Sequence, residues 1–82
     1  MIEIKFYIDE KKSVAFYNNI EIGECCFVEE DDTWNIIHTF VKSEYQGMGI
    51  AKKLVECVKK YSDYNHKKLK ADCMYAQKII SR

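Results

Sequence analysis

The 82-residue sequence lacks the apolar runs that export or anchor a protein. Residues 1–5 alternate apolar and charged side chains, whereas a signal peptide places a basic stretch before an apolar one. No stretch approaches the roughly 20 apolar residues that a membrane-spanning helix needs. We therefore expect a cytoplasmic protein that does not enter a membrane.

The spacing of cysteines that is typical of zinc sites and redox pairs is also missing. The four cysteines include no C-x-x-C pair, and together with the two histidines they show no paired ligand spacing. Cys25 and Cys26 are neighbours, and adjacent residues of a strand point to opposite faces. We expect reduced thiols and no metal.

The composition predicts one globular domain covering residues 1–82, because 48% of the residues are hydrophobic and 32% are charged. The formal net charge is zero, but its two signs are separated along the chain. Residues 1–41 hold three lysines and nine acidic residues, and residues 42–82 hold ten basic and four acidic residues. A basic half suits a polyanionic cofactor or a nucleic acid. A lysine-rich helix face in solvent explains part of it without any ligand.

The pattern of apolar residues predicts an α+β fold. Alternation of apolar and polar residues indicates a first strand over 2–8, followed by strands over 13–17, 20–28 and 33–41 in an antiparallel four-strand meander. Asn18 and Asn19 tolerate the positive φ angles of a two-residue hairpin turn. A helix from 47 or 49 to 62 follows, and Asn65 is expected to end it in a left-handed conformation. A parallel fifth strand over 69–72 and a short C-terminal helix over 74–80 complete the prediction.

The fourth strand is predicted to be central and covered on both sides, because both of its faces carry apolar residues. One face holds Trp34, Ile36, His38 and Phe40. A histidine in such surroundings is expected to be a packed core residue, and catalysis by His38 as a base is the alternative.

Gly47 and Gly49 lie where the fourth strand gives way to the helix. The first N–H groups of a helix have no acceptor within it, and glycines allow a phosphate to approach the backbone closely. The G-x-G-x-x-G fingerprint fails because Lys52 replaces its third glycine, and the P-loop fails because only Met48 separates this pair. A turn that binds no ligand remains the other interpretation.

The longer pattern around these glycines resembles the Q/R-x-x-G-x-G/A signature of the GNAT superfamily of acetyltransferases. The resemblance implies that acetyl-CoA is the cofactor and that its pantetheine arm inserts between the fourth and fifth strands. In that family the fourth strand pairs with the arm, a role that falls here to Phe40 and Val41. The pyrophosphate turn is then formed by Gln46, Gly47, Met48, Gly49, Ile50 and Ala51.

A second segment, residues 69–76, resembles the closing strand and helix of a small GNAT-like family of about this length. In those relatives a cysteine beside the thioester has been proposed as an acyl-accepting nucleophile, which makes Cys73 the catalytic candidate. Many relatives have proline or a small residue after the cysteine, whereas this chain has Met74. Independently, a cysteine that opens a helix meets the positive end of the helix dipole, which favours the thiolate. The other interpretation of Cys73 is a small buried residue.

These observations predict an N-acetyltransferase that moves an acetyl group from acetyl-CoA to an amine, either directly or through Cys73. The same turn could instead serve a non-catalytic module that binds or senses acyl-CoA. A small nucleic-acid-binding protein is a third interpretation, using the basic half with Tyr61, Tyr64 and Tyr75, although these fall on helices or helix ends. The sequence does not identify the amine acceptor, and it allows a monomer or a weak homodimer.

Overall fold

The computed structural model describes residues 1–81, which form five strands and two helices in the predicted order. The strands are β1 Ile2–Tyr7, β2 Lys12–Tyr17, β3 Ile20–Glu30, β4 Thr33–Val41 and β5 Lys68–Ala71. The helices are α1 Ile50–Tyr64 and α2 Met74–Ile80, and a short 3-10 turn, Ser43–Tyr45, precedes α1. Neither α1 nor α2 has the length and apolar content to cross a bilayer.

All five strands belong to one sheet with the order β1-β2-β3-β4-β5. The first four are antiparallel neighbours, and β5 pairs in parallel with β4. Asn18 and Asn19 adopt φ angles of 49° and 68° between β2 and β3, as a tight hairpin turn requires. The predicted α+β architecture with a parallel fifth strand is confirmed.

Helix α1 packs across one face of the sheet through an apolar stripe. Ile50, Leu54, Val55 and Val58 are buried at helical spacing, and the lysines of α1 are exposed. At the far end of the helix, the ring of Tyr61 stacks on Phe6 of β1 with centroids 4.2 Å apart. The core therefore lies between α1 and the sheet, and α2 joins it through the buried residue Ala76.

Strand β4 contains a β-bulge that the sequence did not reveal. Ile36 lies opposite Phe27 of β3, and His38 lies opposite Cys26, the residue directly before Phe27. Ile37 therefore has no partner in β3, and two residues of β4 fill the space of one.

The bulge reverses the alternation of side chains along β4. Trp34 is buried on the face that α1 covers, and beyond the bulge that face receives Thr39 and Val41. Phe40 is 50% exposed on the other face, as is His38 with 51% of its side chain exposed. Three predictions for β4 are therefore wrong. Trp34, Ile36, His38 and Phe40 do not share one face, the second face of the strand is not covered along its whole length, and His38 is not a core residue.

The end of α1 also differs from the prediction. Asn65 has a φ of −94°, and the left-handed residue is His66, with a φ of 56°. The side chain of Asn65 instead donates a hydrogen bond to the carbonyl of Tyr61 over 2.7 Å. Asn65 thus ends the helix through its amide group rather than through its backbone conformation.

Candidate active site

Strands β4 and β5 pair over only four residues and then separate. The last pair is Ile36 with Ala71, after which the N–H groups of Asp72 and Cys73 both donate to the Ile36 carbonyl, at 2.9 and 3.3 Å. From residue 37 to residue 41, β4 has no strand partner on this side within residues 1–81. The sheet therefore has an open edge at the carboxyl ends of two parallel strands, where open sheets with helices bind ligands.

A cavity of about 520 Å³ lies at this open edge. It is bounded by the end of β4, the turn before α1, the first residues of α1 and the start of α2. The lining residues are Thr39, Val41, Tyr45, Gln46, Gly47, Gly49, Ile50, Ala51 and Tyr75. Six of the eight residues predicted to bind the cofactor are thus brought together around one cavity.

The other two, Phe40 and Met48, are not among the lining residues. Met48 is exposed, and the side chain of Phe40 lies on the opposite face of the sheet. The Phe40 carbonyl points towards β3, where it lies near Gly23, and the N–H of Lys42 donates to Ile22 of β3. Because neighbouring residues of a strand direct their main-chain groups to opposite sides, the groups that face the open edge belong to Thr39 and Val41.

The turn before α1 offers main-chain donors to the cavity. Gly47 and Gly49 have φ angles of 84° and 77°, in the left-handed region that favours glycine. The Gln46 N–H donates to the Ser43 carbonyl at 3.3 Å. By contrast, the N–H groups of residues 47–52 have no acceptor within the described chain. A set of free N–H groups at the positive end of a helix dipole is suited to an anion.

The side chain of Gln46 fixes the turn to the end of β4. Its amide nitrogen donates to the Val41 carbonyl over 3.0 Å, which is one of the main-chain groups on the open edge. Behind the turn, the ring of Tyr45 packs against Tyr17 of β2 with centroids 5.7 Å apart. Both contacts hold the residues that precede the glycines against the sheet.

Cys73 lies directly before α2 and is half-buried. It does not line the cavity itself, but its Sγ lies 3.8 Å from Oγ1 of Thr39, which does. The start of α2 is held by Gln77, whose side chain donates to the Ala71 carbonyl over 2.8 Å and whose N–H donates to the Cys73 carbonyl over 3.0 Å. The predicted nucleophile thus stands one side chain away from the cavity.

Asn35 holds the chain in place where β5 ends. It is only 1% exposed, and its side chain exchanges two hydrogen bonds with Asp72. The Asn35 amide donates to the Asp72 carboxylate at 2.9 Å, and the Asp72 N–H donates to the Asn35 side-chain oxygen at 3.1 Å. Because Asp72 immediately precedes Cys73, this pair sets the direction in which the chain leaves the sheet.

Sequence reasoning missed four residues of this site: Asn35, Thr39, Tyr45 and Tyr75. Asn35 left one usable signal, since an amide on a mostly apolar strand needs a partner when it is buried. Thr39 left none, because the alternation of side chains placed it on the wrong face until the bulge was known.

The other cysteines are poor nucleophile candidates. Burial raises the pKa of the Cys25 thiol from 9.0 to about 12, and the hydrogen bond from Thr39 opposes this only in part. Burial also raises the pKa of Cys26 and of Cys57. A thiol with a raised pKa is protonated at neutral pH, and the thiol is a far weaker nucleophile than the thiolate.

The remaining candidates lie away from the cavity. His38 stands on the uncovered face of the sheet with its Nε2 3.4 Å from the Glu24 carboxylate. Tyr61 belongs to the core, whereas Tyr75 lines the cavity, so these two do not form one exposed platform for bases. Within residues 1–81, no three His, Cys, Asp or Glu side chains are grouped closely enough to hold a metal ion.

Comparison with known proteins identifies a family. The family model described as GCN5-related N-acetyl-transferase matches residues 5–82. Among solved structures, a GCN5-like protein from Staphylococcus aureus, determined by NMR, is 30% identical with a TM-score of 0.73. That alignment covers 96% of this chain and 78% of the other. Among curated proteins, no significant match was found.

Two further structures share the fold at lower identity. A GCN5-related N-acetyltransferase from Sphaerobacter thermophilus is 21% identical with a TM-score of 0.69, over 73% of this chain and 20% of that one. An aminoglycoside N-acetyltransferase solved in complex with CoA is 15% identical with a TM-score of 0.69, over 85% of this chain and 55% of that one. The present chain therefore spans about a fifth of the first protein and about half of the second. With its fold and nearly its whole length matched, the chain belongs to the GCN5-related N-acetyltransferase family, and the predicted family is confirmed.

Proposed function

We propose that the protein transfers the acetyl group of acetyl-CoA to an amine, and that Cys73 carries the acetyl group between the two. The observation that carries the proposal is the turn before α1, where four residues with free N–H groups line a cavity of about 520 Å³ beside an unpaired strand edge: Gly47, Gly49, Ile50 and Ala51. These three features match the three parts of the cofactor. The free N–H groups suit the diphosphate, the strand edge suits the amide-bearing arm, and the cavity suits the thioester end.

The diphosphate is assigned to the turn. Its charge would replace the acceptors that the N–H groups of residues 47–52 lack, without strain because no Cβ stands at Gly47 or Gly49. The pantetheine arm is assigned to the open edge of β4, where its amides would pair with the main chain of Thr39 and Val41. Phe40, to which the family resemblance gave part of that role, directs its carbonyl at β3 instead.

Two steps follow from the position of Cys73. In the first, its thiolate attacks the carbonyl carbon of the acetyl thioester, the bond from that carbon to the CoA sulfur breaks, and CoA leaves as a thiolate. In the second, an uncharged amine attacks the acetyl-cysteine, the bond from carbon to Sγ breaks, and the amine loses a proton as the amide forms. Each step exchanges one acyl bond for another and needs no redox partner.

The proposal is tested by binding and by mass spectrometry on the same samples. Titration calorimetry with acetyl-CoA should show one binding site, and intact-mass analysis after mixing should show the gain of one acetyl group. The gain should disappear in Cys73→Ala and remain in Cys57→Ala, a half-buried cysteine of α1 outside the cavity.

The outcomes separate the competing functions. The absence of binding heat with folded protein would overturn the assignment of the cofactor. Binding without release of CoA in the presence of a panel of amines would indicate an acyl-CoA-binding module. Release of CoA by Cys73→Ala at the wild-type rate would show direct transfer to the amine, and Cys73 would then lose its role.

A further inference from the structure

The hydroxyl of Thr39 lies between two thiols. Its Oγ1 is 3.8 Å from Sγ of Cys73 on one side and 3.6 Å from Sγ of Cys25 on the other. Both distances are within the range for hydrogen bonds that involve sulfur, which is larger than oxygen. The three side chains come from the residue before α2, from β4 and from β3, and they form a row that runs inward from the cavity.

The inner end of this chain of side chains is the Cys25 thiol. Cys25 is fully buried, and burial raises the pKa of its thiol to about 12, so it keeps its proton at neutral pH. A thiol can donate one hydrogen bond and accept another. Cys25 is thus a donor of fixed protonation placed behind Thr39.

The direction of the hydrogen bonds can reverse. With Cys73 protonated, its S–H donates to Thr39 and the Thr39 O–H donates to Cys25. Hydroxyl and thiol hydrogens turn about a single bond. After Cys73 loses its proton, the Thr39 O–H can turn towards the thiolate, and the Cys25 S–H can turn to donate to the oxygen of Thr39. The charged state then receives a hydrogen bond that is reinforced from behind.

We propose that Thr39 is a positioning residue for the reaction, and that together with Cys25 it stabilises the thiolate of Cys73 through this reversible chain. The inference rests on the role given to Cys73 under the proposed function. It also explains the bulge at Ile37, because without that extra residue the Thr39 side chain would lie on the opposite face of the sheet. The bulge therefore places a hydroxyl beside the nucleophile.

Other ionisable groups near Cys73 are few. The neighbouring Asp72 carboxylate accepts a hydrogen bond from Asn35. The Tyr75 phenol lies in the first turn of α2 and lines the cavity. Across Thr39 the facing group is the Cys25 thiol. Among the residues described, no lysine or histidine shares a hydrogen bond with the Cys73 thiol, whose partner is the neutral hydroxyl of Thr39.

The test measures the reactivity of Cys73 without any cofactor. The rate of its alkylation by iodoacetamide is followed by peptide mass spectrometry from neutral to strongly alkaline pH, in the wild type, Thr39→Val, Thr39→Ser and Cys25→Ala. Thr39→Val keeps the shape of the side chain but removes the hydroxyl. It should slow alkylation at neutral pH by about tenfold or more, the loss expected for a hydrogen bond to a charged group. Thr39→Ser should react like the wild type, and Cys25→Ala should show a smaller loss.

The pH profile separates stabilisation of the thiolate from simple shielding. At strongly alkaline pH every accessible thiol is ionised, so Thr39→Val should react at least as fast as the wild type, because the thiolate with the higher pKa is the stronger nucleophile. Two outcomes would overturn the inference. Either the wild type reacts no faster than Thr39→Val at neutral pH, or Thr39→Val is slower by the same factor at every pH. If acetyl-CoA does not bind but the alkylation pattern holds, the proposed function fails alone. If Cys73 is acetylated but the pattern is absent, the thiol chain fails alone.

Discussion

Gly23 of β3 lies so close to Phe40 of β4 that a Cβ at position 23 would stand 2.8 Å from the Phe40 carbonyl oxygen. That separation is shorter than real Cβ contacts, and the atom it meets is main chain, which cannot swing away. The same Cβ would also lie 3.3 Å from the Leu54 side chain of α1. Gly23 is therefore required by the close approach of the strand that carries the open edge.

Gly23→Ala should lower the free energy of unfolding by about 1–3 kcal/mol, the usual cost of overpacking a filled interior. Urea denaturation followed by circular dichroism measures this. Because the displaced strand also carries Val41, affinity for CoA should fall as well. A variant as stable as the wild type would show that β4 can move aside without cost.

Gly49 is expected to matter in a different way. Its φ of 77° disfavours residues with a Cβ, so Gly49→Ala should cost about 1–2 kcal/mol of stability. Asn tolerates the left-handed region better, so Gly49→Asn should recover much of this loss. In calorimetry both variants should bind CoA more weakly than the wild type, since either side chain stands where the diphosphate is proposed to approach. Wild-type affinity in Gly49→Asn would remove the turn from the cofactor site.

Asn35 should be essential to the shape of the site. Asn35→Leu keeps the volume but removes the amide that the Asp72 carboxylate accepts from, while the Asp72 N–H keeps only its bond to the Ile36 carbonyl. This should lower the free energy of unfolding by about 1–3 kcal/mol. The matched control is Lys59→Ala, which removes an exposed ion pair of 3.7 Å with Asp63 on α1, away from Asn35. An exposed pair of this kind contributes about 0–1 kcal/mol. Similar losses in the two variants would contradict the role of Asn35.

Stability should fall at alkaline pH because of Cys25. Its pKa is raised from 9.0 to about 12 by burial, so in this range the unfolded chain loses the proton and the folded chain keeps it. The free energy of unfolding therefore decreases as pH rises through this window, by at most about 1.4 kcal/mol per pH unit. Urea titrations at a series of pH values should show a shallower decrease in Cys25→Ala. The half-buried thiols of Cys26 and Cys57, whose pKa values are also raised, account for part of the slope that remains.

Local chemistry allowed much of the fold to be predicted. The two asparagines at 18 and 19 marked a hairpin by their tolerance of positive φ, and the bounds predicted for α2 agree with the structure. The glycines at 47 and 49 marked the turn because glycine adopts positive φ angles without strain. In each case the determining interactions lie within a few residues.

What the sequence could not give depends on residues that are distant along the chain. The bulge at Ile37 is invisible in a strand with apolar side chains on both faces, since either register buries apolar groups. Asn35 meets Asp72 across 37 residues, and Thr39 meets Cys73 across 34 residues. For the same reason, the uncovered face that exposes His38 and Phe40 follows from the register and not from composition.

The four-residue length of β5 has a thermodynamic consequence. Apart from the Val41 carbonyl, which accepts from Gln46, the main-chain groups that β4 presents beyond the end of β5 gain a partner when an extended molecule lies alongside. Such a molecule would act as a sixth strand supplied from solution. The melting temperature of the protein should then depend on how much of that molecule is dissolved, since binding to the folded state alone stabilises it by mass action. Binding of that molecule and folding of the domain would then be thermodynamically linked, so each could be measured through the other.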